Sequence, residues 1–153
     1  MIYAKVLGRL VNSIILSMFF ASSLYGEPPQ DTPPLLEKVT LVTAEEAWNL
    51  MQKGVSIFDV WVSHEYVEEH IKGAVSIPYK EKSKKRTNYD PNLDRFDLSK
   101  LPHKTTPIIF YCNAGKCWKS YKASKAAVEA GYTNVYWLRG GIPQWKKKNL
   151  PVE

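Results

Sequence analysis

The sequence predicts an α/β domain: a central, mostly parallel five-stranded sheet flanked by helices on both faces. Three observations carry this. Short apolar runs alternate along the chain with stretches whose apolar residues recur at helical spacing. One run, Pro107 to Cys112, is apolar without interruption, as a strand covered on both faces requires. Glycines at 54, 73 and 131 fall where the helical patterns stop.

Taken in order, "KVTLVT" reads as the first strand. Thr43 opens a helix, and Glu46 three positions on completes a capping box. Ala44, Ala47, Trp48 and Met51 then mark its apolar face, and Gly54 ends it. "VSIFDV" (55–60) is the second strand, Ser63 starts a short helix, and Lys72-Gly73 stops it before the strand "AVSIP". Residues 79–106 are polar and irregular, with one short helix expected near "LDRFDLSKL". "PIIFYC" is the expected central strand, followed by a helix from about Trp118 to Ala130. "NVYWL" is the last strand, and "GGIPQWKKKN" turns into a final helix.

The ends of the chain divide it into three parts. Residues 1–26 read as a signal peptide: Lys5 and Arg9 precede an apolar stretch too short to span a bilayer as a mature helix, and small residues follow. Periplasmic or other export follows from this, with no stable membrane span once the signal is cleaved. Residues 27–35, "EPPQDTPPL", read as a proline-rich linker. Residues 36–153 are the expected domain, and the chain beyond the signal, 27–153, has the size of one domain with one core. The whole chain carries a net charge of +6, with basic runs in "YKEKSKKR" (79–86) and "WKKK" (145–148). Solvated loops and a helix end account for these runs, so nucleic acid is not an expected partner. The positive field favours small anionic substrates. The three histidines have no metal-type spacing, so neither a metal nor a cofactor is expected.

Both cysteines lie in one short stretch, "FYCNAGKCWKS" (110–120). Cys112 falls at the carboxyl end of the central strand, where open α/β sheets bind their ligands. The following helix offers free backbone N–H groups and the positive end of its dipole, and Lys116 and Lys119 add positive charge. Gly115 lets the backbone curl so that successive N–H groups face inward. Such a cradle, from Asn113 through Ala114, Gly115, Lys116, Cys117 and Trp118 to Lys119, favours a thiolate and holds an oxyanion. The local residues leave two readings open for Cys112, a nucleophile or a small buried hydrophobe. They leave three roles open for Cys117: a resolving thiol, a disulfide partner, or a side chain packed beneath the loop.

From Leu36 to Glu153 the chain resembles the rhodanese-like domains. The resemblance rests on "IFDVWVSHEYVEEHIKGAVSIPY", "IIFYCNAGKCWKSYKASKAAVEAGYTNVYWLRGGIPQW" and "NLPV", in that order. It implies the corresponding fold and puts Cys112 at the catalytic position. There it would take sulfane sulfur from a donor such as thiosulfate and yield it to a thiol or cyanide acceptor. Asp59, His70 and Ser120 fall at positions that the resemblance makes structural supports. Two departures qualify the likeness. Many members carry an arginine and a serine after the loop, whereas Cys117 stands in the arginine's place and Trp118-Lys119 intervene before Ser120. Phosphatases of the same fold need an arginine at position 118, which is Trp118 here. The leading expectation is thus an exported sulfurtransferase. The alternatives are a thiol–disulfide or persulfide redox protein using Cys112 and Cys117 with a thiol reductase partner, and a non-catalytic binding module.

Overall fold

A computed structural model describes residues 31–153. The expected signal peptide and the first part of the proline-rich linker lie outside the described residues. Five strands form one sheet: β1 (Val39–Leu41), β2 (Ser56–Asp59), β3 (Val75–Ser76), β4 (Ile108–Tyr111) and β5 (Val135–Leu138). Their spatial order is β1-β5-β4-β2-β3, and every pairing is parallel. β4 is central and all four of its residues are buried, which is why it reads as an unbroken apolar run.

Four α-helices cover the sheet: α1 (Ala44–Gln52), α2 (Ser63–Glu68), α3 (Trp118–Glu129) and α4 (Gly141–Lys147). The alternation of β4 side chains sorts them between two faces. Ile108, Phe110 and Cys112 pack with Ala123 and Ala127 of α3. Ile109 and Tyr111 pack with Ala44 and Ala47 of α1 and with Ile142 and Trp145 of α4. A third cluster, Tyr89, Trp118, Tyr121 and Trp137, extends the α3 face. Trp118, Trp137 and Trp145 are each 2% exposed or less, and truncating such a ring to alanine costs about 3–5 kcal/mol. The capping box forms as the sequence implies: the Glu46 N–H donates to Thr43 Oγ1 at 3.3 Å, and the Thr43 N–H donates to the Glu46 carboxylate at 2.7 Å.

The segment after β3 departs from expectation. In place of one short helix near 93–101 there are two 3-10 turns, Pro91–Leu93 and Leu98–Lys100. Each is capped by an aspartate, Asp90 or Asp97, accepting a backbone N–H two residues on. Asp94 lies between them and is claimed from another direction. Its carboxylate accepts the N–H groups of Lys82 and Ser83 (both 2.7 Å), the Ser83 hydroxyl (2.6 Å) and the Tyr79 hydroxyl (3.0 Å). A continuous helix through Asp94 would break these bonds.

The same carboxylate reaches a buried lysine. Lys122 of α3 is 0% exposed; its Nζ donates to Ser83 Oγ at 2.7 Å. It lies 3.2 Å from Glu81 Oε2 and 3.5 Å from Asp94 Oδ2, over the ring of Tyr89. One cation thus fixes the basic loop 79–86 to α3. Burial pushes the Asp94 carboxyl up, but the bonds from Ser83, Lys82 and Tyr79 outweigh it and hold it at about 2. That value lies below the ordinary 3.8, so its stabilising contribution is complete above about pH 4 and is lost as pH falls through about 2. Asp94→Ala strands Lys122 with one carboxylate fewer and is expected to cost about 3–5 kcal/mol in urea unfolding at neutral pH. Between pH 4 and pH 2 that variant is expected to lose less stability than the wild type.

Candidate active site

The carboxyl ends of the parallel strands converge on one edge of the sheet, and the Cys112 loop leaves from its middle. The chain turns at Ala114, whose φ of 59° is in the left-handed region, and the Cys117 N–H closes the turn on Ala114 O at 3.1 Å. Cys117 is then the N-cap of α3. Cys112 Sγ and Cys117 Sγ are joined in a disulfide, with the two Cα atoms 6.3 Å apart, inside the span that such a bond needs. Of the alternatives the sequence left open, the structure therefore shows the two sulfurs bonded.

Cys112 is 1% exposed, and its polar surroundings come from the protein. The sulfur lies 3.0 Å from Ser120 Oγ. Because a disulfide sulfur carries no hydrogen, the hydroxyl is the donor. The Trp137 indole N–H donates to the same Ser120 oxygen at 2.9 Å, which leaves the hydroxyl hydrogen free to turn to the sulfur. Ser120, Trp137 and Cys112 are all buried, so this relay operates without competition from water. Cys117, by contrast, is half-buried and borders a cleft of about 250 Å³ shared with Trp61, Lys85, Lys116 and Lys119. Glu81 is its one acidic wall.

The loop is also clamped from behind. Gly141, at φ +57°, comes so close that a Cβ there would lie 2.0 Å from Cys112 O and 2.6 Å from Ala114 N. The next residue, Ile142, donates its N–H to Cys112 O at 3.1 Å. On the other side the Arg139 guanidinium lies over Gly115, where an added Cβ would be 3.0 Å from Nη2. Gly115 is not in the left-handed region; that conformation falls on Ala114. The absence of a side chain at Gly115 thus makes room for Arg139, rather than allowing the backbone to curl as the sequence suggested. Arg139 in turn donates to Thr32 O at 2.6 Å and to Thr32 Oγ1 at 3.0 Å, and Thr32 donates both its N–H and its hydroxyl to Gly115 O at 2.8 Å. Thr32 is 1% exposed, so the described end of the stretch read as a linker is packed on the loop.

The remaining residues singled out by sequence take separate places. Asp59 is buried, accepts the Trp61 N–H at 2.8 Å, and pairs with the Tyr111 hydroxyl. Burial outweighs these bonds and raises its carboxyl above the ordinary range. Trp61 lines the cleft, so Asp59 acts on the site through the chain that carries that ring. His70 stacks on Tyr66 with centroids 3.8 Å apart, its Nδ1 lies 2.8 Å from Tyr66 O, and its Nε2 lies 3.6 Å from Glu153. These contacts tie α2 to the chain's end. Lys119 donates to Tyr79 O at 3.3 Å, and burial lowers its ammonium pKa from the ordinary value. Lys116 is exposed at the cleft rim, and Asn113 is half-buried beside it. Trp118 is core, edge-on to Tyr121 with centroids 5.2 Å apart. Sequence reasoning missed Arg139, Gly141, Trp137 and Thr32 as parts of this site. The one available signal was "RGG" directly after the last strand, at the sheet edge where the cysteine loop also emerges.

The fold is that of an open parallel α/β sheet, a class that binds its ligands at the carboxyl ends of the strands, where the Cys112 loop lies. Within that class, the chain belongs to the rhodanese-like domain family, whose pattern matches residues 43–148. It is 27% identical over 112 residues to the thiosulfate sulfurtransferase GlpE of Haemophilus influenzae, covering 73% of this chain and 92% of that protein. It is 28% identical over 112 residues to the chloroplastic thiosulfate sulfurtransferase 16 of Arabidopsis thaliana, covering 73% and 91%. Among solved structures, the BH2092 protein of Bacillus halodurans aligns with a TM-score of 0.56 at 28% identity, covering 74% of this chain and 76% of that one. The polysulfide-sulfur transferase homodimer of Wolinella succinogenes aligns with a TM-score of 0.55 at 18% identity, covering 76% and 79%, and shares the fold. Among the described residues, no helix is long and apolar enough to cross a membrane.

Gly141→Ala tests the clamp. The left-handed backbone alone costs a side chain about 1–2 kcal/mol, and the contact with Cys112 O adds to it. Urea unfolding is expected to show a loss above that range. An unchanged midpoint would mean that the loop does not depend on this close approach.

Proposed function

We propose that the protein is a sulfurtransferase that carries sulfane sulfur on Cys112. The donor is a small anion of the thiosulfate type, and the acceptor is a thiol or cyanide. The observation that carries this reading is the setting of Cys112 Sγ. It is buried at the end of the central strand, bonded to the N-cap residue of α3, and takes a hydrogen bond from Ser120. A hydroxyl donor and a helix N-terminus both favour the anionic form of a sulfur, whether thiolate or persulfide. Membership of the rhodanese-like family and likeness to proteins named thiosulfate sulfurtransferase support the same chemistry.

Turnover begins from the reduced pair. The Cys112 thiolate attacks the outer sulfur of thiosulfate, the S–S bond of the donor breaks, and sulfite leaves. The resulting persulfide is attacked at its outer sulfur by the acceptor, and Cys112 returns to the thiolate. Lys85, Lys116 and Lys119 outnumber Glu81 around the cleft and give it the sign that draws an anionic donor. The N-terminal pattern of 1–26 supports an exported location, and an oxidising compartment agrees with the Cys112–Cys117 bond.

The test is thiocyanate formation from thiosulfate and cyanide by the reduced protein. Cys112→Ser is expected to form none. Ser120→Ala removes a hydrogen bond to a charged sulfur and is expected to lower kcat/KM by roughly tenfold to a hundredfold. Thiocyanate formation by Cys112→Ser at the wild-type rate would overturn the reading.

A further inference from the structure

We propose that Cys117 is a resolving thiol, which makes the protein a sulfane-sulfur reductase that releases sulfide and is reset by a dithiol protein. This rests on the sulfur-carrying role of Cys112 and adds the fate of the sulfur. Three observations lead to it. The two cysteines, five positions apart, are joined in a disulfide. They are unequally accessible: Cys112 is 1% exposed, whereas Cys117 is half-buried and borders the cleft. Ser120 donates to Cys112 Sγ, so of the two sulfurs Cys112 is the one prepared to leave as an anion.

The Cys112 thiolate takes the outer sulfur of the donor, and sulfite leaves with the bonding pair. Cys117, as thiolate, attacks the inner sulfur of the persulfide; the S–S bond to the outer sulfur breaks and hydrosulfide leaves, carrying the proton lost by Cys117. The transferred sulfur is reduced by two electrons, and the two cysteines are oxidised to the disulfide seen here. An external dithiol returns those electrons. Its first thiolate reaches the accessible sulfur, Cys117, forms a mixed disulfide there and expels Cys112 as thiolate. Its second thiol then displaces Cys117 and leaves as the partner's disulfide. Exchange of this kind is fastest when the leaving thiol is the more stable anion, which matches the hydrogen bond on Cys112. The cleft sets the partner's approach: it must present an exposed dithiol to a rim carrying Lys85, Lys116 and Lys119, so an acidic surface around that dithiol is favoured.

A single-turnover experiment tests this. Protein reduced with dithiothreitol, freed of reductant without air and kept dilute, is mixed with one equivalent of thiosulfate. Sulfite, sulfide and the intact mass are then measured. The wild type is expected to release one equivalent each of sulfite and sulfide and to become two hydrogens lighter as a monomer. Cys117→Ser is expected to release sulfite without sulfide and to become one sulfur atom heavier. Wild-type protein that gains one sulfur, holds it without releasing sulfide and yields it to cyanide would overturn the resolving role while leaving the sulfurtransferase reading intact. Absence of sulfite from every protein would overturn both.

Discussion

The structure depends on how the chain leaves its central strand. β4 is covered on both faces, so whatever follows Tyr111 emerges at the sheet edge already desolvated. Cys112 is buried there together with its own carbonyl, and neither can rely on water. The carbonyl is satisfied by the Ile142 N–H, a contact possible only because Gly141 has no side chain to keep α4 away. The sulfur receives the Ser120 hydroxyl, which is freed for that purpose by the Trp137 indole. Two strand ends and two helices therefore converge on one residue. These contacts hold the base of the loop from both sides.

A second constraint frames the mouth. Lys122 would read as an ordinary surface residue of a helix, yet it is wholly buried against Glu81, Asp94 and Ser83. A buried charge of this kind is weak evidence for extra stability, since an apolar replacement of the whole group can do as well. What it does supply is position. It fixes the irregular chain after β3 against α3, and that chain delivers Glu81 and Lys85 to the cleft. Arg139 does the equivalent on the opposite side, using Thr32 and Gly115. The mouth is thus bordered by segments far apart in sequence but each tied to an element that also contacts the cysteine loop.

This explains what the sequence could disclose. Strand and helix positions were legible because apolar periodicity is local: the buried run through Tyr111, the capping box at Thr43 and Glu46, and the glycine stop after Ala130 each declare themselves within a few residues. The place of Cys112 followed from the topology that those elements imply. What stayed hidden depends on long-range contact. Nothing around Arg139 says that it will lie on Gly115, nothing around Thr32 says that it will be buried, and Gly115 attracts a local explanation that the left-handed turn at Ala114 displaces. The helix expected near 93–101 failed for the same reason, since Asp94 is occupied by Lys82, Ser83 and Tyr79. The pairing of Cys112 with Cys117 was one of several readings by spacing and became definite only with both sulfurs in place.

On the proposed reading, reduction of the Cys112–Cys117 bond leaves a Cys112 thiolate stabilised by the Ser120 hydroxyl and the start of α3. The most direct measurement is the far-ultraviolet thiolate absorbance of reduced Cys117→Ser protein as a function of pH, with the Cys112→Ser/Cys117→Ser double variant as the blank. Thiolate absorbance is expected to be present already at neutral pH and to be diminished there when Ser120→Ala is added. Absorbance that emerges only around pH 8.5 or above, as for an ordinary free cysteine, and is indifferent to Ser120 would contradict it.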